Sequence, residues 1–120
     1  MKRLSLAIEG GPRLGDHIIM ASNPWLRFRG LMGTDALPQG TGMLFPRTNA
    51  VHGFFMRYPI LTAYLDAQGH VLEARILKPW RVGPVVRGAR YVLELPVEWA
   101  PAMTMGARVV WQQYEAPTGD

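Results

Sequence analysis

The side chains with chemical capacity in this sequence are few, and most lie between residues 52 and 94. His52, Arg57, Asp66 and His70 fall in one predicted hairpin region. Two imidazoles and a carboxylate are metal ligands by type. Their spacing is not that of a site, because no His-x-His or His-x₃-His pair exists. The expectation is therefore no metal and no cofactor. The chain has no cysteine, which excludes thiolate nucleophiles, disulfides and cysteine-ligated zinc or iron–sulfur centres. Ser5 and Ser22 are its only serines, and neither stands in a Gly-x-Ser-x-Gly elbow. The glycines at 40, 42, 53 and 69 form neither a dinucleotide fingerprint nor a phosphate loop.

Two features remain. Glu94 lies in a segment that alternates as a strand, with Tyr91, Leu93 and Leu95 on one face and Val92 and Glu94 on the other. Such a glutamate is either solvated or held by an arginine, with Arg29 and Arg57 the candidates, and a structural ion pair is commoner than a catalytic one. The second feature is aromatic. Phe54, Phe55, Met56, Tyr58, Trp80 and Trp99 could line a groove, with arginines beside them to hold an anionic ligand. Aromatic residues in a small β domain mostly serve the core. Trp80 in a proline-rich loop, and Trp99 before Ala100-Pro101, fit that role less well, and an exposed tryptophan marks a binding surface.

The elements that position these groups read as short strands. Leu4, Leu6 and Ile8 alternate with Arg3, Ser5, Ala7 and Glu9, the pattern of a half-buried strand. A turn over 10–15 leads to a returning strand over 17–21. Asn23-Pro24 has an N-cap and first-turn signature, and Trp25, Phe28 and Met32 recur at helical spacing before Gly33, so one helix is expected near 24–32. Strands are then expected over 42–45, 51–56, 60–66, 70–77, 90–95 and 107–114, with loops over 35–41 and 78–84 and a loose tail over 115–120. Many short strands with closely spaced Gly and Pro turns predict a small barrel or sandwich. The fold class is thus mainly β (α+β), a single domain over 1–114 with one helix.

Composition sets the remaining bounds. With 120 residues, 48% hydrophobic and 18% charged, the chain can bury a core without staples. The apolar stretch at its start ends at Glu9, too short for the core of a signal peptide, and no segment has the ~18 apolar residues of a membrane helix. Together with the missing cysteines this predicts a cytoplasmic protein. Net charge is +4, from eleven arginines and two lysines against nine acids. The arginines never form a run of three, so a dispersed solvated surface is the expectation, without specific nucleic-acid binding.

Four segments in order carry a family resemblance: Arg29-Gly30-Leu31-Met32; Gly42-Met43-Leu44-Phe45-Pro46; Phe55-Met56-Arg57-Tyr58-Pro59-Ile60 running into Leu65-Asp66-Ala67-Gln68-Gly69-His70-Val71; and Tyr91-Val92-Leu93-Glu94-Leu95-Pro96. Their spacing, over roughly residues 16 to 111, resembles the domain of unknown function 192, also called uncharacterised protein family 0127. The resemblance implies a compact, mainly β domain with a short helix in its N-terminal third, and no activity. The chain departs from the family pattern at Leu61, where an aspartate usually follows Pro-Ile, and at Val97-Glu98-Trp99, where a glycine is usual. The first functional expectation is a non-enzymatic binding or accessory module, taking a small-molecule or polymeric ligand in a groove near Met56, Arg57 and Trp80, with Arg29, His52, Asp66 and Glu94 as further candidates. An enzyme of unassigned reaction using Arg29, Arg57, Asp66 and Glu94 is the alternative. A weak nucleic-acid binder comes third.

Overall fold

In the computed structural model, residues 2–21, 37–53 and 56–117 are described. The predicted helix near 24–32, with Arg29, lies outside them, as do Phe54 and Phe55. Seven strands form one mixed sheet: β1 (Lys2–Ile8), β2 (Arg13–Met20), β3 (Thr41–Pro46), β4 (Ile60–Leu65), β5 (Val71–Leu77), β6 (Tyr91–Leu95) and β7 (Val109–Glu115). Their order is β5-β4-β6-β3-β2-β1-β7. β2 and β3 run parallel and every other pair is antiparallel.

The two edges of the sheet meet at one end. The Val71 amide donates to the Ala107 carbonyl at 2.8 Å, Gly106 to Val71 at 2.9 Å and Val109 to Gly69 at 2.8 Å. The sheet thereby curls into a barrel-like form, and closure satisfies backbone groups an open edge would leave exposed. Alternation along the strands then has two consequences. Leu4, Leu6, Leu14, Ile18, Leu44, Leu61, Ala63, Leu65, Leu93 and Leu95 make one core inside the curl. Met43, Phe45, Ile60, Tyr64, Leu77 and Val92 point the other way and make a second core outside. Val51, Met56, Tyr58 and Ala89, from the loops over 47–59 and 78–90, complete this second core. Those loops are zipped together by backbone bonds, including Gly53 N to Arg81 O at 2.7 Å, Gly83 N to Val51 O at 2.9 Å and Val86 N to Asn49 O at 2.9 Å.

The departures from the sequence expectations have physical reasons. The strand expected over 51–56 is not one in its described part: Val51, His52, Gly53 and Met56 belong to the loop layer. Val51 and Gly53 bond through their backbone to residues 80–83, Met56 bonds back to Gly53, and Val51 and Met56 pack in the outer core. β2 starts at Arg13, inside the expected turn, because Leu14 reaches the inner core at 1% exposure. There Gly15 passes so close to the next loop that a Cβ would stand 2.4 Å from the Gly40 carbonyl oxygen. Residues 97–102, unassigned from sequence, form a 3₁₀ turn, and its Trp99 packs against the inner core instead of marking a surface. β7 runs on to Glu115 because it pairs with β1 from Lys2↔Glu115 to Ile8↔Val109, and Ala116 beyond it is buried. Among the described residues no helix is long and apolar enough to cross a membrane.

Candidate ligand-binding site

Glu94 sits mid-strand on β6, opposite Met43 of β3 and Thr62 of β4. Alternation places it on the outer face of the sheet, yet it does not reach solvent. It is 1% exposed, and Thr62 beside it is equally buried. Among the described residues no acidic side chain pairs with Arg57, so the Glu94–Arg57 pairing is not formed. The Glu94–Arg29 pairing lies outside the described residues. Leu61, at the position where an aspartate is usual, is 1% exposed in the inner core.

The remaining candidates divide between the two ends of β4. At its C-terminal end Asp66 organises the β4–β5 turn. One carboxylate oxygen accepts from the Gln68 and His70 amides, both at 2.9 Å, and the other lies 3.4 Å from His70 Nδ1. Burial works to raise the Asp66 pKa, but the two amide bonds and the nearby imidazole outweigh it and hold the group below its usual range. At the N-terminal end lie His52, Met56, Arg57 and Trp80. Six residues of β4 separate the two groups, about 20 Å at the rise of a strand. Asp66 and His70 therefore do not meet His52 or Arg57, and among the described residues no three His, Asp or Glu side chains cluster as metal ligands.

The structure gathers the N-terminal group around one carbonyl. Gly53 O accepts from the Met56 amide at 3.2 Å and from the Trp80 amide at 2.7 Å, while His52 forms an isolated bridge with Val82. Met56 is buried, so it builds the wall and not the opening. Trp80 is 59% exposed and holds a left-handed backbone, with φ 63°. That conformation costs a bulky residue roughly 1–3 kcal/mol, and such strain concentrates at ligand clamps and switch regions.

Lys78 and Arg81, on either side of Trp80 in the chain, help line a cleft of about 170 Å³ that Trp80 itself does not line, with Thr62, Arg75, Ile76, Leu77, Val82, Gly83 and Pro84 as its other walls. Three of these residues are cationic. Arg75 shares its guanidinium with Glu73 at 2.9 Å. Lys78 and Arg81 are exposed and have no acidic partner among the described residues. Behind Gly83 stands the Tyr64 hydroxyl, 2.7 Å from where a Cβ on Gly83 would be. It is buried and makes no hydrogen bond of full geometry among the described residues. Burial raises its pKa. The neighbouring Thr62 hydroxyl, which donates its own proton to the Arg75 carbonyl at 3.0 Å and keeps lone pairs to accept, tempers that rise. Arg75, Lys78 and Arg81 were not singled out by motif or spacing. A legible signal existed: residues 47–59 and 78–90 contain no acid.

Comparison with known proteins gives this site no assigned chemistry. A crystallised protein of unknown function from Novosphingobium aromaticivorans shares the fold, with a TM-score of 0.70 at 18% identity over 91% of this chain and 84% of that one. A Sinorhizobium meliloti chain described as a candidate transcription regulator has a TM-score of 0.61 at 19% identity, over 92% of each chain. At such identity the likeness is one of fold. A UPF0127 protein of Pyrococcus furiosus is 32% identical over 90% of this chain and 97% of its own length. Another, from Thermococcus sibiricus, is 37% identical over 59% of this chain, which spans about half (49%) of that relative's length. The family model of DUF192, "Uncharacterized ACR", matches residues 8–111, and with these relatives it shows that the chain belongs to that uncharacterised family.

Proposed function

We propose that this protein is a non-enzymatic binding module that takes its ligand at the loop layer over 47–59 and 78–90, in the cleft flanked by Trp80. The observation that carries this reading is the pairing of a small cleft with an exposed tryptophan whose backbone is held in a strained conformation. More than half of the Trp80 surface stays open to solvent, and a ligand that stacks on the ring gains the apolar contact an aromatic face offers. The cleft wall combines aliphatic Ile76, Leu77, Val82 and Pro84 with three cations and the Thr62 hydroxyl, and holds no acid or imidazole among the described residues, which suits recognition of a ligand more than acid–base chemistry. Catalysis needs acid, base and electrophile within hydrogen-bond reach of one another, and Arg57 and Asp66 stand at opposite ends of β4.

A fragment screen by amide NMR, on wild type and on Trp80→Gly, tests the reading. Glycine accepts the left-handed backbone without strain, so the variant keeps its fold. Hits are expected to shift resonances of residues 78–84 in wild type and to lose affinity in the variant. Hits confined to other surfaces, or fragments chemically converted during the screen, would refute it.

A further inference from the structure

The charge of this protein is unevenly placed, and the unevenness bears on what the cleft takes. Six of the thirteen basic side chains, Arg47, Arg57, Lys78, Arg81, Arg87 and Arg90, lie in the two loops, with no acid in either. The rest of the chain holds seven basic against nine acidic side chains. All six loop cations are exposed. Elsewhere acids neutralise basic neighbours: Arg13 pairs with Asp16, Arg75 with Glu73 and Arg108 with Glu9. Among the described residues the two loops thus form a layer of +6 against a net −2 for the rest.

We infer that the ligand of this cleft is an organic anion, a phosphate or carboxylate joined to an apolar body, with Lys78 and Arg81 on the charged group and Trp80 against the body. The inference rests on the binding reading above. A 170 Å³ cleft admits one charged group and a ring-sized portion at most, so the layer's excess charge steers the ligand in more than it binds along a polymer. Exposed Ile76 and Val82 line the cleft with the cations, and exposed Trp80 stands between Lys78 and Arg81 in the chain, apolar surface that a bare inorganic ion would leave unused. A single-stranded nucleic acid is recognised by several stacking aromatics along a basic track, and among the described residues Trp80 is the one aromatic among the exposed large hydrophobics.

The test uses the whole chain and four probes sharing one ring: phenyl phosphate, phenylacetate, benzyl alcohol and benzylamine. Amide NMR follows residues 78–84, and the Trp80 indole signal is assigned from Trp80→Gly. The anions are expected to bind about tenfold tighter than the alcohol, the amine weakest, with the preference shrinking in high salt as screening predicts. The two anions compared with each other assign the group as phosphate or carboxylate. The double variant Lys78→Gln/Arg81→Gln, both at exposed positions that leave the core intact, should lose about tenfold for the anions and nothing for the alcohol. Equal binding of anion and alcohol, or anion affinity unchanged in the double variant, overturns the inference and leaves the binding reading standing. No shift at 78–84 with any probe overturns both. An oligodeoxythymidylate that binds more tightly than either anion at physiological salt overturns the inference in favour of a polymeric partner.

Discussion

Removing the Tyr64 hydroxyl should stabilise this protein. The oxygen is buried and makes no hydrogen bond of full geometry among the described residues, the Thr62 hydroxyl being its polar neighbour, so burial costs it more than it regains. A polar group in that position costs roughly 1–3 kcal/mol. Tyr64→Phe removes the group and loses only the dispersion contacts of one atom, leaving a net gain of about 1 kcal/mol, or about 4 °C in Tm for a domain of this size. The neighbouring glycine sharpens the test. Gly83 has no left-handed φ, and an added Cβ would meet the Tyr64 hydroxyl at 2.7 Å and the Val51 carbonyl at 3.2 Å. Gly83→Ala in wild type should therefore cost about 1–3 kcal/mol by overpacking, less the ~0.4–1 kcal/mol it gains through a less flexible unfolded chain. In the Tyr64→Phe background the nearest obstacle is gone, and the same change should be close to neutral. Urea unfolding of the four proteins, followed by fluorescence and circular dichroism, gives the cycle, with a coupling of about 1 kcal/mol or more expected. A Tyr64→Phe protein less stable than wild type by 1 kcal/mol would mean the hydroxyl is bonded in solution. Strict additivity would mean that Gly83 and Tyr64 do not meet.

Leu6→Ala should lose about 2–5 kcal/mol in the same assay, because Leu6 is fully buried in the inner core, and Leu6→Asp should leave no soluble folded protein; either one near wild-type stability would contradict the barrel interior. Trp80→Gly should match or exceed wild type in stability, by about 1 kcal/mol, because it relieves the left-handed strain at an exposed ring; a clear loss would show that the ring is held by packing. Asp66 has a lowered folded pKa, so it stabilises the protein above its unfolded pKa of about 4, and that contribution should vanish as pH falls through the folded value. Asp66→Asn, which keeps an acceptor for the Gln68 and His70 amides, should flatten the acid limb of a stability–pH curve. An unchanged limb would place the charge's effect elsewhere.

Local pattern alone carried much of the fold, because strands and turns obey rules of a few residues' range. The alternation of Leu4 and Leu6, the Ala67-Gln68-Gly69 turn and the hydrophobic run from Ile60 to Leu65 each announced its element, and four ordered segments announced the family. What pattern could not carry was which faces would be covered. Val92 and Glu94 alternate with Leu93 and Leu95, and alternation alone leaves open whether the outer face is wet. Only tertiary packing made it a second core, with Val51, Met56, Tyr58 and Ala89 of the loops packed on it, and left Glu94 and Tyr64 buried. The candidate site divides in the same way. The type of residue at Met56 and Trp80 was legible, because an apolar ring in a proline-rich loop is conspicuous in one dimension. That Asp66 stands a strand's length from Arg57 was not, because that distance is set by the course of β4. Charge shows the difference most plainly. Along the chain the arginines look dispersed, yet Arg13, Arg75 and Arg108 are paired with Asp16, Glu73 and Glu9, the last across 99 positions of sequence, while two acid-free loops, zipped together by backbone hydrogen bonds, keep theirs.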